Sequence, residues 1–257
     1  MISPASYRRI LHKMGYYDYQ QGLIYRHLNQ GNGWQGHEKR CRDFIIKAAD
    51  LYHPEKITVL GSGWLLELPL TELAERTRHI CLIDIIHPPA VKDQVKKLKN
   101  VELSEQDISG GLIEKVWQKA GNRTFLNKLR SLEEIEVPEF RLEDPGTIIS
   151  LNIMTQLEAM PLRILSKKAR TGEADLFNFR KNIQESHLRF LKRHKSILIT
   201  DTAEIFTDSS GNVSEVKTVI TDLPEGIVQE TWKWDFDLKG LDYSRKRSVM
   251  EVVAIIF

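Results

Sequence analysis

Cysteine is scarce in this sequence of 257 residues, which contains two, Cys41 and Cys81. So few cysteines argue against a framework of several disulfides and against a zinc site built from cysteines. Cys81 lies in a predicted core strand, where it is expected to act as a small buried hydrophobic residue. Because the N-terminus is polar and lacks the apolar core of a signal peptide, a reducing cytoplasm is the expected compartment.

Long apolar runs and a large net charge are missing as well. No uncharged apolar stretch approaches the roughly 20 residues that span a bilayer, so no membrane partner is expected. The 37 basic and 35 acidic residues leave a formal net charge of +2, and the overall charge therefore implies no nucleic-acid partner. The eight histidines show no spacing typical of metal ligands, so no metal site is predicted. The oligomeric state is left open.

Apolar strands alternate with helical patterns through the middle of the chain. Such alternation predicts βαβ units, in which a parallel sheet carries helices on both faces. The five predicted strands of this series span 57–61, 80–84, 101–104, 147–152 and 196–201. The helical patterns between them span about 65–77, 88–98, 112–120 and 155–195.

The beginning and the end of the chain depart from this alternation. Residues 1–55 are predicted to form an N-terminal helical cap, which is broken by the glycine-rich segment 29–36. Near the end, the segments 227–234 and 248–257 are predicted to pair as an antiparallel hairpin at the sheet edge.

The remaining residues, 56–257, are expected to form one main domain with an acidic insertion at 122–145. The predicted fold class is therefore α/β: a Rossmann-like, mostly parallel sheet of seven strands with helices on both faces and a C-terminal antiparallel hairpin.

A glycine turn follows the first strand, and an acid follows the second. In Val59-Leu60-Gly61-Ser62-Gly63 an apolar run stops at Gly-x-Gly, which allows a close approach of the backbone to a ligand. About 20 residues later Asp84 ends strand 80–84, at the distance expected for a carboxylate that binds a ribose. The alternatives are a tight strand–helix turn for the glycines and a helix N-cap for Asp84.

These motifs resemble those of class I S-adenosylmethionine-dependent methyltransferases over about residues 37–257. The resemblance implies S-adenosylmethionine as the cofactor and contacts to it from Gly61, Ser62 and Gly63. It implies that Asp84 bonds the ribose hydroxyls. Asp107, after strand 101–104, resembles the acid that holds the adenine, and Ile108 is included in that contact. For Asp107 the alternative is a cap of the following helix.

The segment from Ser150 to Leu157 resembles the part of the same family that faces the methyl donor and the acceptor. The resemblance implies that Asn152 contacts the cofactor and takes part in catalysis, and that Gln156 contacts the substrate. A small-molecule acceptor is the expected partner, because the N-terminal helices would cover the pocket. A turn closed by its own side chain is the alternative for Asn152.

Two residues at the glycine-rich segment are further candidates. Trp34 is a candidate substrate contact, and His37 is a candidate acid–base group because the ordinary pKa of histidine lies near neutrality. The alternatives are that Trp34 packs in the core and that His37 caps the next helix.

The sequence departs from the family pattern at two positions of the glycine turn. Val59 stands where the family commonly has an acid that contacts the methionine amino group, and Leu65 stands where a third glycine is common. Glu67 is expected in the following helix and hence is no substitute for the missing acid.

The departures keep two other functions open beside methyl transfer to an unidentified acceptor. One is a catalytically inactive, methyltransferase-like binding or scaffold protein. The other is an NAD(P)-dependent oxidoreductase, which the terminal hairpin and Leu66 at the third glycine position of Gly-x-Gly-x-x-Gly argue against.

Overall fold

In the described part of the chain, eight strands form one mixed sheet. The computed structural model describes residues 3–124, 126–241 and 245–257. The strands are β1 (Lys56–Leu60), β2 (His79–Asp84), β3 (Val101–Glu105), β4 (Thr147–Leu151), β5 (Ser196–Thr207), β6 (Val213–Lys217), β7 (Val228–Asp237) and β8 (Arg247–Ile256). Their order is β3-β2-β1-β4-β5-β8-β7, and β6 pairs with β5 outside this path.

The first five strands are parallel, and the last three are antiparallel to their neighbours. The predicted Rossmann-like sheet with a C-terminal antiparallel hairpin is confirmed, and β8 lies between β5 and β7. The predicted count of seven strands missed β6. This short strand is exposed along its whole length and pairs only with the outer half of β5, so it has no buried face that an apolar pattern would reveal.

Eight α-helices accompany the strands in the described ranges. They are α1 (Pro4–Met14), α2 (Tyr16–Asn29), α3 (Gln35–Tyr52), α4 (Leu70–Arg76), α5 (Pro89–Val95), α6 (Leu112–Val116), α7 (Ala159–Lys168) and α8 (Glu173–Leu191). The predicted helix over 155–195 is two helices, because the chain becomes extended at Ala169 and again at Gly172. The helix predicted near 65–77 begins only at Leu70, which leaves a long loop after β1.

Helices cover both faces of the sheet. On one face, α3, α4 and α5 pack on alternate residues of the strands, including Ile57 and Val59 of β1. On the other face, α8 packs on Leu60 and Ile83 through Leu188 and its neighbours. Apolar side chains on both faces explain why the central parallel strands are continuous hydrophobic runs.

A second apolar cluster joins the N-terminus to the predicted insertion. Leu11 and Met14 of α1 pack with α6, α7 and α8, and Leu129 and Leu132 belong to the same cluster. The described residues of the segment 122–145 are mostly irregular, with a short 3-10 turn at Leu132–Glu134. Its apolar side chains therefore tie the insertion to the helices beneath α1. Among the described residues, no helix has the length and apolar character needed to cross a membrane.

Candidate functional site

The glycine turn lies at the carboxyl end of β1, beside the end of β2. The backbone N–H groups of Gly61 and Ser62 both point at the carbonyl oxygen of Ile83, at N···O distances of 2.9 and 3.4 Å. A side chain at Gly61 would place its Cβ 2.6 Å from the Cβ of Ile153, so this glycine is required by packing against the segment after β4. Gly63 has a φ of +49° and open space around its Cα, which leaves its backbone accessible.

Two residues of this turn differ from the sequence-based expectation or from the methyltransferase pattern. Ser62 was predicted to contact the cofactor, but its hydroxyl is buried and lies 3.1 Å from Nε2 of His87. The Ser62 N–H faces β2, and the Ser62 hydroxyl faces His87. The side chain therefore points into the protein and away from the crevice. Leu65 adopts a φ of +62°, so the backbone takes a left-handed conformation at the position where the methyltransferase pattern commonly has a third glycine.

Asp84 is a buried carboxylate at the end of β2. Its Oδ2 accepts a hydrogen bond from Gly63 N–H at 2.7 Å, and its Oδ1 accepts one from Ile85 N–H at 2.7 Å. The side-chain amide of Gln20 in α2 also donates to Oδ1, at 3.3 Å. Burial raises the pKa of Asp84 to about 6 although these donors oppose the shift. The structure therefore joins the glycine turn to the predicted ribose-binding acid.

Asp107 follows β3 and caps the start of α6. Its Oδ1 accepts hydrogen bonds from the backbone N–H and the hydroxyl of Ser109, and its Oδ2 accepts one from Ile113 N–H at 3.3 Å. These contacts are those of a helix cap, which was the alternative to adenine binding for Asp107. Ile108 is buried, and both it and Asp107 line a small cavity next to Asp84.

Asn152 follows β4 in a left-handed conformation, with a φ of +49° that asparagine tolerates better than most residues. Its N–H donates to the carbonyl oxygen of Ile199 at 2.8 Å, and its own carbonyl oxygen accepts a hydrogen bond from the Gln156 side chain. One side-chain polar atom of Asn152 faces His37, and the other is buried without a partner among the described residues. Backbone contacts therefore hold Asn152 in place while this second polar atom stays available.

His37 lies behind Asn152 rather than on the cavity wall. Its Nε2 is 3.0 Å from the side-chain amide of Asn152, and its Nδ1 accepts a hydrogen bond from the indole N–H of Trp232 at 3.0 Å. The ring stacks on Trp234, with centroids 3.9 Å apart. Burial lowers the pKa of His37 to about 3, so the imidazole is neutral at physiological pH. This geometry favours a role in positioning Asn152 over the predicted acid–base role.

Trp34 combines the two alternatives considered for it. It is buried, its indole N–H donates to the carbonyl oxygen of Phe236 at 3.0 Å, and its ring makes an edge contact with Trp234. It also lines the larger of the two cavities at the strand ends. Trp34 is therefore a core residue with one side turned to the site.

Two small cavities meet at Asp84. The first encloses about 70 Å³ and is lined by the glycine turn together with Trp34, Asn152 and Glu67. The second encloses about 40 Å³ and is lined by the residues from Gln106 to Ser109. Both cavities include Asp84, Ile153 and Gln156 in their walls. The predicted residues, apart from Ser62 and His37, are thus assembled around one divided crevice.

Helix α2 forms the roof of this crevice. Tyr16 lines the smaller cavity, and Gln20 and Leu23 line the larger one. The backbone carbonyl oxygen of Gln20 also accepts the indole N–H of Trp64, a residue of the loop after β1, at 3.0 Å. Contacts from one helix therefore reach both the β1 loop and the Asp84 carboxylate.

Glu67 is a functional candidate that the sequence analysis placed wrongly. It was expected in the helix after β1, but that helix begins at Leu70, and Glu67 lies in the loop with its side chain in the larger cavity wall. The left-handed turn at Leu65 makes this position possible by reversing the loop. The only signal in the sequence was an acid four residues after the second glycine.

No match to a protein-family model was found for this chain, and none to a curated protein sequence. Solved structures do match. The N-methyltransferase NodS from Bradyrhizobium japonicum WM9, in complex with S-adenosyl-l-homocysteine, is 11% identical, with a TM-score of 0.39 over 84% of this chain and 86% of that one. The 1,6-didemethyltoxoflavin-N1-methyltransferase of Burkholderia thailandensis is 7% identical, with a TM-score of 0.37 over 100% of this chain and 91% of that one.

The methyltransferase domain of bacterial CtHen1 is 12% identical, with a TM-score of 0.33 over 84% of this chain and 98% of that one. These proteins are methyltransferases, the kind of protein that the sequence motifs resemble. Each of these TM-scores lies below 0.5. The function proposed for this chain is therefore based on its own strands and side chains.

Proposed function

We propose that this protein binds S-adenosylmethionine in the divided crevice and transfers its methyl group to a small-molecule acceptor. The observation that carries the proposal is the position of Asp84. This carboxylate stands where the two cavities meet, at the end of β2 and in contact with the glycine turn after β1. Open α/β sheets bind ligands at such carboxyl ends of neighbouring strands.

The polar groups of the crevice fit an adenosyl ligand. A carboxylate accepts both protons of a ribose diol, which suits Asp84. The apolar side chain of Ile108 offers a surface for the adenine beside Asp107. Two buried polar atoms without partners among the described residues, Gln20 Oε1 and the Asn152 side-chain atom that faces away from His37, belong to the larger cavity wall, where a ligand would supply partners.

The crevice is too small for the proposed ligand, so the protein must open to bind it. Cavities that hold ligands of this size enclose ~300–1,000 Å³, far more than the two small cavities. Helix α2 is the element that would have to move, because it covers both cavities and contacts Asp84 and Trp64 through Gln20. The N-terminal helices thus act as a cap that opens for entry and encloses the bound ligand.

The reaction would depend on positioning more than on acid–base chemistry. When bound, S-adenosylmethionine supplies an electrophilic methyl group, and an acceptor that is already nucleophilic needs alignment and the exclusion of water. Asn152 and Gln156 face the crevice from the segment after β4 and are the proposed contacts for the reacting groups. Trp34 and the cap helices would exclude water.

A second candidate is a methyltransferase-like protein that does not turn over. It is favoured by the hydrogen bonds that already occupy Asp84 and Asp107 in the closed crevice. A nicotinamide-dependent oxidoreductase is disfavoured, because β8 and β7 run antiparallel where the classical dinucleotide-binding sheet continues in parallel.

Calorimetric titration of the full chain with S-adenosylmethionine and with S-adenosylhomocysteine tests the proposed cofactor. We expect saturable binding of both compounds and no binding of NADH. The absence of heat with both adenosyl compounds would refute the proposal. Methyl transfer from a labelled donor to a panel of amines, phenols and carboxylates then separates the active enzyme from the second candidate.

A further inference from the structure

The wall of the larger cavity contains a second, partly buried carboxylate, Glu67, which the function described above does not use. Its side chain is 16% exposed and lies in the wall that also contains Gly61 and Gly63. Asp84 stands where the cavities meet, Ile108 belongs to the smaller cavity, and Glu67 belongs to the larger one. Along the crevice the order is therefore an apolar wall, the acid at the end of β2, and then Glu67.

The negative charge of Glu67 has little compensation from the protein. The neutral imidazole of His37 lies 3.8 Å from Glu67 Oε1 and supplies no positive charge. In the described part of the chain, no lysine or arginine nitrogen lies within 4 Å of it; the guanidinium of Arg42, which pairs with Glu38, attracts the Glu67 carboxylate from farther away, and Glu38 repels it. Burial raises the pKa of Glu67 to about 7. A bound cation would relieve this cost.

Aromatic side chains surround the same cavity. Trp34, Trp64 and Trp234 all belong to its wall. The electron-rich face of an indole attracts an organic cation, and the attraction grows when the cation is removed from water. A carboxylate together with three indoles makes this end of the crevice suited to a positively charged group on an otherwise apolar stem.

Val59 stands at the position of the family's acid and cannot bind an ammonium group, so a carboxylate that does so must come from another position of the chain. This residue of β1 is fully buried between the sheet and the helices that cover it, so its side chain has no access to the crevice. Glu67 reaches the crevice from the loop on the other side of the glycine turn. The two positions are eight residues apart in the sequence but belong to the same β1–loop unit.

We propose that Glu67 binds the α-ammonium group of the amino-acid end of S-adenosylmethionine. The order of groups in the ligand, adenine, ribose and amino acid, matches the order of Ile108, Asp84 and Glu67 along the crevice. This inference rests on the proposed function, and it makes Glu67 a residue that recognises the amino-acid end rather than a base that takes a proton from the acceptor.

Calorimetric titration with three ligands tests the assignment. S-adenosylhomocysteine carries the α-ammonium but no sulfonium, S-adenosylmethionine carries both, and 5′-methylthioadenosine lacks the amino-acid end. In Glu67→Gln we expect the affinity for S-adenosylhomocysteine to fall about 10- to 100-fold, the range for a hydrogen bond to a charged group. The affinity for 5′-methylthioadenosine should stay within about twofold of wild type, which also shows that the variant is folded.

Glu72→Gln is the matched control, since Glu72 is an exposed acid on α4 and its loss should change neither affinity. Equal weakening of both ligands in Glu67→Gln, or weakening of neither, would overturn the assignment while leaving the proposed function intact. So would an effect confined to S-adenosylmethionine, because the partner would then be the sulfonium. If the wild-type protein binds none of the three compounds, the proposed function fails and this inference fails with it.

Discussion

The indole N–H of Trp232 donates to Nδ1 of His37 at 3.0 Å, and both side chains are buried. An indole nitrogen can only donate, so Nδ1 must accept, and the single proton of the neutral imidazole resides on Nε2. That proton faces Cys41, whose Sγ lies 3.4 Å from Nε2, and the side-chain amide of Asn152, which must therefore turn its oxygen toward the ring. One hydrogen bond from β7 therefore fixes both the tautomer and the orientation of a ring that contacts the segment after β4.

We predict that His37 stays neutral, with its proton on Nε2, from pH 8 to pH 5. Burial lowers the pKa of this imidazole to about 3, well below that range. Long-range ¹H–¹⁵N correlation spectra of the histidine rings measure the tautomer directly. A charged His37 at pH 6, or a proton on Nδ1, would contradict the prediction. In Trp232→Phe the fixed tautomer should be lost, because Nδ1 then has no donor.

Asp84→Asn should weaken the binding of S-adenosylhomocysteine about 10- to 100-fold. The substitution keeps the size of the side chain but replaces one acceptor oxygen, so it can no longer accept both protons of a ribose diol. Calorimetric titration measures the loss. Asp93→Asn makes the same chemical change on an exposed side chain of α5 and should bind as the wild type does. Equal affinities of the Asp84 variant and the wild type would show that the ribose lies elsewhere.

Gln20→Ala should speed the association of S-adenosylhomocysteine. The Gln20 amide occupies Oδ1 of Asp84 in the closed crevice, so an entering ribose must displace it. Without this contact the cap should open more readily. Stopped-flow measurement of tryptophan fluorescence is suited to the test, because Trp64 contacts Gln20 and lines the cavity. An association rate equal to that of the wild type would show that cap opening does not depend on this hydrogen bond.

The buried His187 should make the protein less stable in mild acid. Burial lowers the pKa of this imidazole to about 4 in the folded chain, whereas an unfolded histidine titrates near 6.5. As the pH falls below about 6.5, the unfolded state takes up a proton that the folded state refuses, and the free energy of unfolding decreases until the pH reaches the folded pKa.

Between pH 7 and pH 5 this linkage amounts to ~2 kcal/mol. Urea unfolding at the two pH values should therefore show a smaller loss of stability in His187→Gln than in the wild type. His12→Gln, which changes an exposed histidine of α1, should lose as much as the wild type. Parallel losses in all three proteins would contradict the prediction.

Local patterns were sufficient to predict the sheet and the position of the crevice. Strands β1, β2 and β4 are almost entirely buried, so their apolar runs stand out in the sequence. Gly63 and Asp84 were found because strand ends of a parallel sheet meet at one edge, and this makes separate signals in the chain neighbours in space. The exposed strand β6 gave no such signal.

The sequence by itself determined the α/β class, the strand boundaries near the site and the residues at the strand ends, because these depend on periodicity and on short-range turn chemistry. The tertiary structure alone decided which side chains face the crevice. In the folded chain Ser62 faces His87, and Asp107 caps a helix. His37 lies behind Asn152, and Glu67 lies in the cavity wall. Such outcomes depend on loop conformation and on contacts between residues far apart in the chain, which no local pattern encodes.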